Sequence, residues 1–299
     1  MTAPTHNSSP SAVELSSSTS VRDSLATSRD RLLTTLRDMR RVVIAFSGGV
    51  DSAVVAAAAY RALGDAAVAV TGVSSSLATA ELDDARRVAA AIGIRHELIE
   101  TREFENPLYL ANAPDRCYHC KTELYTQLES RLVEQFADAV IVNGANFDDR
   151  GDYRPGMTAA TEHRVRSPLL ELEFTKADVR ALAAEWNLPV SDKPAAPCLS
   201  SRIAYGEEVT PERTAMIDAA ERFLRERGLR ELRVRYHRGD LARLEVPAES
   251  IVRLAEPSLR REIVERLRAL GFKFITLDLE GFRSGSLNQL VDISLPPRS

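Results

Sequence analysis

Ser47-Gly48-Gly49-Val50-Asp51-Ser52 decides the fold of this chain through what flanks it. Before it runs Arg41-Val42-Val43-Ile44-Ala45-Phe46, an apolar β-branched run read as a strand, and after it an Ala-rich run of helical character reaches about Leu63. A strand, a tight Gly-Gly turn and a helix start bring several backbone N–H groups to one point, an anion site by geometry, and the expected anion is a phosphate. The paired glycines let the backbone approach a ligand with no Cβ in the way, and Ser47 and Ser52 add hydroxyl donors. Asp51 repels phosphate, so its expected task is to hold Mg2+, which prefers carboxylate and phosphate oxygens together. No Gly-Lys-Ser/Thr follows, which excludes the Walker loop, and the three-glycine dinucleotide fingerprint is absent too. The competing interpretation is an ordinary Gly-Gly turn between strand and helix.

Outward from the loop, strand and helix alternate. Ala66 to Val73 reads as a second buried strand, Leu77 to Ile92 as an amphipathic helix ended by Gly93, Arg95 to Glu100 as a third strand, Asp115 to Phe136 as a helix and Ala139 to Val142 as a fourth strand. This alternation predicts an α/β fold, a parallel sheet flanked by helices. The fourth strand leads into Asn143-Gly144-Ala145-Asn146-Phe147-Asp148-Asp149, whose two carboxylates suit Mg2+ or its waters and equally a solvated acidic turn. Asp152-Tyr153-Arg154-Pro155-Gly156 continues as irregular chain, Val165 to Leu170 reads as a fifth short extended segment, and Thr175 with Asp178 predicts a capped helix to Trp186. N-terminal to the loop, helical spacing covers Val21 to Arg40.

Pro189, Pro194 and Pro197 mark a loop between domains, and beyond it a smaller α+β unit is expected. That unit has a helix from Thr210-Pro211 to Gly228, strands over Arg230–His237 and Leu241–Val246, a helix over Ser258–Leu270 and a strand over Phe272–Leu279, mainly antiparallel. The expected division is a disordered Ser/Thr/Pro-rich tail over 1–28, an α/β domain carrying the phosphate turn over 29–205 and a C-terminal α+β domain over 206–299.

The bulk numbers are those of an ordinary globular protein: 299 residues, 44% hydrophobic and 27% charged, with net charge −4 and pI about 5.9. There is no basic field for nonspecific nucleic-acid binding and no apolar run long enough to span a bilayer. The tail has no apolar secretion core, so the expectation is a cytoplasmic protein without membrane or nucleic-acid partner. Three cysteines argue against a disulfide framework.

Cys117 and Cys120 have the gap that lets two thiolates face one metal from the start of a helix, where the helix N-terminus is expected to favour the thiolate form. Zinc with His119 or a distant histidine, a redox disulfide, and, if Cys198 folds back beside the pair, a [4Fe–4S] cluster with one open iron all suit this pattern. Cys198 heads Cys198-Leu199-Ser200-Ser201-Arg202, whose hydroxyls and guanidinium are candidate phosphate partners, although a buried small hydrophobe is the plainer interpretation of the cysteine. Arg233 and Arg235 alternate on one strand face and could clamp a phosphate monoester or carboxylate, or lie on a solvated face, with His237 beside them and Glu245 as a partner.

The Ser-Gly-Gly-x-Asp-Ser loop resembles that of the PP-loop ATP pyrophosphatases, an adenine-nucleotide alpha-hydrolase-like fold. With Asp115-Arg116-Cys117-Tyr118-His119-Cys120-Lys121, the Asn143–Asp149 loop, Asp152–Gly156, Arg166-Ser167-Pro168-Leu169, Pro197–Arg202 and Arg233–His237, the chain resembles the LarE family from about Arg41 onward. That family comprises ATP-dependent sulfur transferases of nickel-pincer nucleotide biosynthesis, the cofactor of lactate racemase. The resemblance implies ATP and Mg2+ as cofactors and a pyridinium dicarboxylate mononucleotide as substrate. Sulfide or another sulfur donor and a homo-oligomer are implied as partners. The resemblance assigns ATP pyrophosphatase chemistry to the domain over 29–205, and substrate binding and oligomerisation to that over 206–299. It also implies ATP bound through Ser47, Gly48, Gly49, Asp51 and Ser52, and Lys121 beside the leaving pyrophosphate. Arg233 and Arg235 would hold the substrate phosphate with Arg202 nearby, and Cys117, Cys120 and Cys198 a [4Fe–4S] cluster that delivers sulfur. Relatives with only the cysteine matching Cys198 sacrifice its sulfur instead. Ala145 stands where family members often have Thr. The rivals are a tRNA thiolase and an amide-forming relative of the same superfamily, and an ATP-binding regulator with structural zinc.

Overall fold

Leu32 and Leu36 of α1 (Ala12–Asp38) are fully buried beneath the sheet whose first strand feeds the glycine loop. A computed structural model describes residues 12–136, 138–150, 155–193, 196–229, 231–283 and 286–287. α1 starts earlier than its spacing predicted, because no Gly or Pro interrupts Ala12 to Asp38, so residues 12–28 of the expected disordered tail are helical. Residues 1–11 of that tail, the stretch Asp152-Tyr153-Arg154 and Pro194 lie outside the described residues.

β1 (Val42–Ala45), α2 (Val50–Leu63), β2 (Ala67–Val73), α3 (Thr79–Ile92) and β3 (Arg95–Glu100) follow in βα alternation. α4 (Pro107–Leu110) and the long α5 (Arg116–Gln135) then lead to β4 (Val140–Val142). The strands form one parallel sheet in the order β3-β2-β1-β4, with Val43 opposite Val68 on one side and Ile141 on the other. The chain steps outward from β1 to β3 and then returns to the far side of β1 for β4. The carboxyl ends of β1 and β4 therefore flank the switch point where such sheets bind ligands. Small side chains make the close packing possible: Ala53 to Ala59 of α2 are all buried against α1, α8 (Lys176–Glu185) and the sheet. α5 covers the other face through Tyr125 and Leu128.

α6 (Pro155–Glu162) and α7 (Pro168–Glu171) lie between β4 and α8. The extended segment expected over Val165–Leu170 is reduced to one parallel bridge, Val142 to Arg166, because Pro168 lacks an N–H for a ladder and starts α7 at its first turn. Gly93 ends α3 in the left-handed conformation (φ 81°), and Thr175 and Asp178 form the expected capping box.

The second unit packs α9 (Pro211–Glu226), α10 (Ile251–Ala255) and α11 (Pro257–Ala269) on a sheet of β5 (Arg233–His237), β6 (Leu241–Glu245) and β7 (Phe274–Leu277). β5 and β6 are antiparallel as expected, whereas β6 and β7 are parallel, since the helices between them make a crossover connection. Its core also takes in Ala78, Tyr109, Leu199 and Ile203 from the chain before residue 206, so the two units share apolar packing.

Candidate active site

Ser52, 5% exposed, organises the phosphate loop. Its Oγ donates to Gly49 O (3.1 Å) and accepts from Ser47 N (3.3 Å), and with its hydrogen committed to Gly49 it accepts from Ser47 Oγ (3.1 Å). Gly49 N in turn donates to Ser47 Oγ at 3.3 Å, and no side chain caps α2, whose N-terminus faces the turn. Gly48 has φ 71°, and a Cβ there would stand 2.7 Å from the Ala85 backbone in α3. At Gly144, in the loop after β4, a Cβ would meet Ser52 N at 2.6 Å. The two switch-point loops thus touch through backbone, which only glycine allows.

Asp51 points to that second loop. Its Oδ1 accepts from Asn146 Nδ2 (3.0 Å) and its Oδ2 from Lys176 Nζ (2.5 Å), while Lys176 N donates to Asp148 Oδ2 (2.8 Å). Asp149 closes a capping box on Asn146. Asp148 and Asp149 are therefore neither a preformed metal pair nor a merely solvated turn: they anchor the start of α8 and the turn itself. Asp51 and Asp148 still offer hard oxygen donors beside the anion loop, and one or two carboxylates with substrate phosphates are what Mg2+ usually takes.

A cavity of about 380 Å3 opens at the carboxyl ends of β1 and β2, and Ser47, Lys121, Cys117, Cys120 and Cys198 all line it. The fold thus brings the three cysteines to one cavity with Ser47 of the phosphate loop. Cys117 and Cys120 come from the first turn of α5, and Cys198 from the loop entering the second unit. That loop is fixed by Leu199 N to Ser76 O (2.8 Å), Ser200 Oγ to Tyr109 OH (2.6 Å) and Arg116 Nη1 to Ser200 O (2.9 Å). All three thiols are free. Among the described residues no three His, Cys, Asp or Glu side chains already stand together as a metal group, and His119 turns to Asp115 at 3.4 Å. The donor set itself, three thiols around one cavity, is the chemistry an iron–sulfur group needs.

The electrostatics correct one expectation. The helix N-terminus does not make Cys120 a thiolate: burial pushes its thiol up to about 12, against the pull of Lys121. Burial also lowers the affinity of Arg116 and Lys121 for their protons, yet coupling to neighbouring acidic side chains, Cys198 and Cys117 for Arg116 and Tyr125 and Cys120 for Lys121, raises both above their ordinary values. Both cations therefore stay charged beside the thiols.

Arg202 and Arg235 are buried and committed to protein. Arg202 Nε meets Glu221 Oε1 at 3.1 Å, and its Nη1 donates to the carbonyls of Pro197 and Cys198. Arg235 Nε meets Glu245 Oε2 at 2.9 Å, and its Nη1 donates to Ser201 O at 3.0 Å. Ser201 Oγ closes on Cys198 O at 2.7 Å, so the hydroxyls and guanidinium expected as phosphate partners hold the cysteine loop instead. Arg233, half-buried, is pushed down to about 10 by burial and by Arg202, with Arg235 and Arg225 adding to the effect of a local excess of positive charge. None of the three arginines lines the cavity.

Sequence reasoning missed Lys176, Arg116 as a buried cation, Tyr109 and Glu103. Lys176 carried a signal: a lysine in the first turn of a helix opposes the macrodipole and calls for a nearby anion. The others depend on contacts between residues about ninety positions apart, such as Tyr109 with Ser200, or on a carboxylate in a short turn with no pattern of its own.

The asparagine synthase family matches residues 21–131. An uncharacterised protein of Synechocystis is 46% identical over 254 residues, covering 85% of this chain and 94% of that one. The pyridinium-3,5-bisthiocarboxylic acid mononucleotide synthase of Lactiplantibacillus plantarum is 38% identical over 266 residues, covering 88% of this chain and 95% of that one. The tRNA-specific 2-thiouridylase of Xanthobacter autotrophicus is 35% identical over 196 residues, covering 52% and 49%. The pyridinium synthase is matched along both units, the thiouridylase over half of each chain.

Proposed function

Since the chain belongs to the LarE family of ATP-dependent sulfur transferases within the PP-loop superfamily, we propose that it converts a carboxylate of pyridinium-3,5-biscarboxylic acid mononucleotide to a thiocarboxylate for nickel-pincer cofactor synthesis. A carboxylate oxygen attacks the α-phosphate of ATP, pyrophosphate leaves, and sulfur then displaces AMP from the acyl carbon. The observation that carries this reading is the shared cavity: Ser47, at the start of the phosphate loop, and three free thiols line the same space of about 380 Å3. Activation and sulfur delivery need such proximity, because an acyl adenylate exposed to water is hydrolysed.

Gly48 and the uncapped N-terminus of α2 would supply donors for the pyrophosphate, the Ser47, Gly49 and Ser52 donors that close the turn on itself would turn to it on binding, and Lys121 would offset its charge from the cavity wall. Asp51 with Asp148 would hold Mg2+, which supplies charge neutralisation when bound, and Lys176 already sets one cation against Asp51. Cys117, Cys120 and Cys198 would hold a [4Fe–4S] cluster, which when bound supplies a soft site for the sulfide to be transferred. Arg116, a buried cation beside Cys117 and Cys198, stabilises thiolate charge there. Arg233 is the anchor for the substrate phosphate: burial first and then its positive neighbours depress it, and a bound anion would relieve both, while Arg235 backs it by holding Glu245 and the Ser201 carbonyl.

Three free cysteines support a cytoplasmic setting. No helix among the described residues is long and apolar enough to cross a membrane. Phe274, exposed on the edge strand β7, supports the homo-oligomer, which light scattering of the full chain tests.

The reading is tested anaerobically with cluster-reconstituted protein, Mg-ATP, sulfide and the biscarboxylate mononucleotide. AMP, pyrophosphate and thiolated product in excess over protein, with all three cysteine masses unchanged, is the expected result. Product that stops at one sulfur per chain with Cys198 turned to dehydroalanine replaces the cluster by a sacrificed cysteine, and no AMP at all ends the substrate assignment.

A further inference from the structure

Two acidic groups line the cavity with no part in the reaction as written: Glu81 is paired with Lys193 at 2.7 Å, which leaves Glu103. Glu103, in the turn after β3, lines the cavity and is 2% exposed. Its Oε1 accepts from Ser74 Oγ (2.5 Å) and Ser76 Oγ (3.1 Å), and Ser76 N donates back to Ser74 Oγ (3.2 Å), so the carboxylate is held in one orientation. Its Oε2 is buried and has no hydrogen-bond partner among the described residues. A buried carboxylate oxygen without a donor is costly, and the cavity is where a donor would come from.

We infer that Glu103 Oε2 accepts a hydrogen bond from a ribose hydroxyl of a nucleotide bound in this cavity, an inference that rests on the nucleotide chemistry proposed above. The position argues for it. Ser74 and Ser76 follow β2, the neighbour of β1, and β1 ends in the phosphate loop, so the sugar attached to a loop-bound phosphate is within the same cavity. Doubly wound sheets take a ribose hydroxyl on a carboxylate at the carboxyl edge of the sheet near the phosphate turn; Glu103 lies at that edge after β3, two strands from β1, and is held by the serines that follow the intervening β2. The neighbouring walls, Ala45, Phe46, Leu77 and Leu124, are apolar and suit a base. A single free acceptor matches a neutral O–H donor, and both ATP and the pyridinium mononucleotide carry ribose.

Calorimetric titration of the full chain with α,β-methylene-ATP and its 2′-deoxy and 3′-deoxy forms, and with the pyridinium mononucleotide and its deoxy forms, decides the matter. Removing one hydroxyl from one of the two nucleotides should weaken binding to the wild type roughly ten- to a hundredfold, the range for a hydrogen bond to a charged group. In Glu103→Met that discrimination should vanish, and in Ser74→Ala/Ser76→Ala, which frees the carboxylate, it should shrink. Discrimination on the ATP analogue assigns the ribose to ATP, discrimination on the mononucleotide assigns it to the acid substrate, and either supports the inference. Wild-type protein that binds every deoxy form as tightly as its parent overturns it without recourse to any variant, as does a Glu103→Met protein that keeps full discrimination. Failure to bind either nucleotide in any form overturns the functional reading as well.

Discussion

The Ser47–Ser52 turn and the Cys198 loop face each other across one cavity and are held in opposite ways. The turn is held largely by itself, through Ser52 Oγ to Gly49 O and Gly49 N to Ser47 Oγ, with Gly48 and Gly144 letting neighbouring backbone come close. The Cys198 loop is held by groups far away in the chain: Ser76, Tyr109 and Arg116 on one side, and Arg202 with Glu221 and Arg235 with Glu245 on the other. On the proposed function, phosphate binding would therefore depend on local geometry, and sulfur delivery from the Cys198 loop on the docking of the second unit. Changes in the second unit should cost sulfur transfer before they cost nucleotide binding.

The largest effect is expected at Glu221, whose carboxylate is fully buried between Arg202 and Arg225. Glu221→Gln leaves two cations underpaired and should cost about 3–5 kcal/mol in a denaturant titration. The thiolated product should be lost, while the folded fraction still binds α,β-methylene-ATP. Burial is the strongest single influence and raises the Glu221 carboxyl, but Arg202, Arg225 and Arg233 together outweigh it and hold the group below its ordinary 4.5. A carboxyl depressed on folding stabilises above its unfolded value, and that stability is lost as pH falls through the lower folded value. The wild type should weaken below pH 4.5, and Glu221→Gln should lack that acid limb of the stability profile.

Gly144→Ala tests the other side of the comparison. Its Cβ would press on Ser52 N, so nucleotide binding should fall while melting registers a loss of about 1–3 kcal/mol. Tight α,β-methylene-ATP binding by this variant would break the claim that the phosphate loop depends on close backbone contact.

Lys176→Met should lower the adenylation rate about a hundredfold, as removal of one charge-stabilising donor does. Its pair with Asp51 is partly exposed, so stability should change by less than about 1 kcal/mol. A rate unchanged in single-turnover pyrophosphate release would remove the lysine from the site. Smallest is Arg233→Gln, which should raise KM for the mononucleotide about tenfold and leave KM for ATP unchanged. Equal effects on both would take Arg233 off the substrate phosphate.

The same contrast explains what could be read from the sequence. The phosphate loop was legible because its turn, strand and helix are contiguous, and so were the parallel sheet and the Thr175 cap. Cys117 and Cys120 were legible as a pair by spacing, but their sharing one cavity with Cys198 depends on hydrogen bonds such as Leu199 to Ser76, which no local pattern encodes. Arg202 and Arg235 looked like free phosphate donors because a sequence cannot say that Glu221 and Glu245 will be buried against them. The thiol of Cys120 looked activated because helix position is visible in sequence and burial is not.

The most direct test follows the oxygen. With mononucleotide carrying heavy oxygen in its carboxylates, attack of a carboxylate on ATP and displacement by sulfur must leave one labelled oxygen in AMP. The account predicts AMP mass-shifted by one heavy oxygen for each thiocarboxylate formed, in wild-type protein with Mg-ATP and sulfide. Unlabelled AMP accompanying thiolated product would contradict it, because the carboxylate would then never have been adenylated in this cavity.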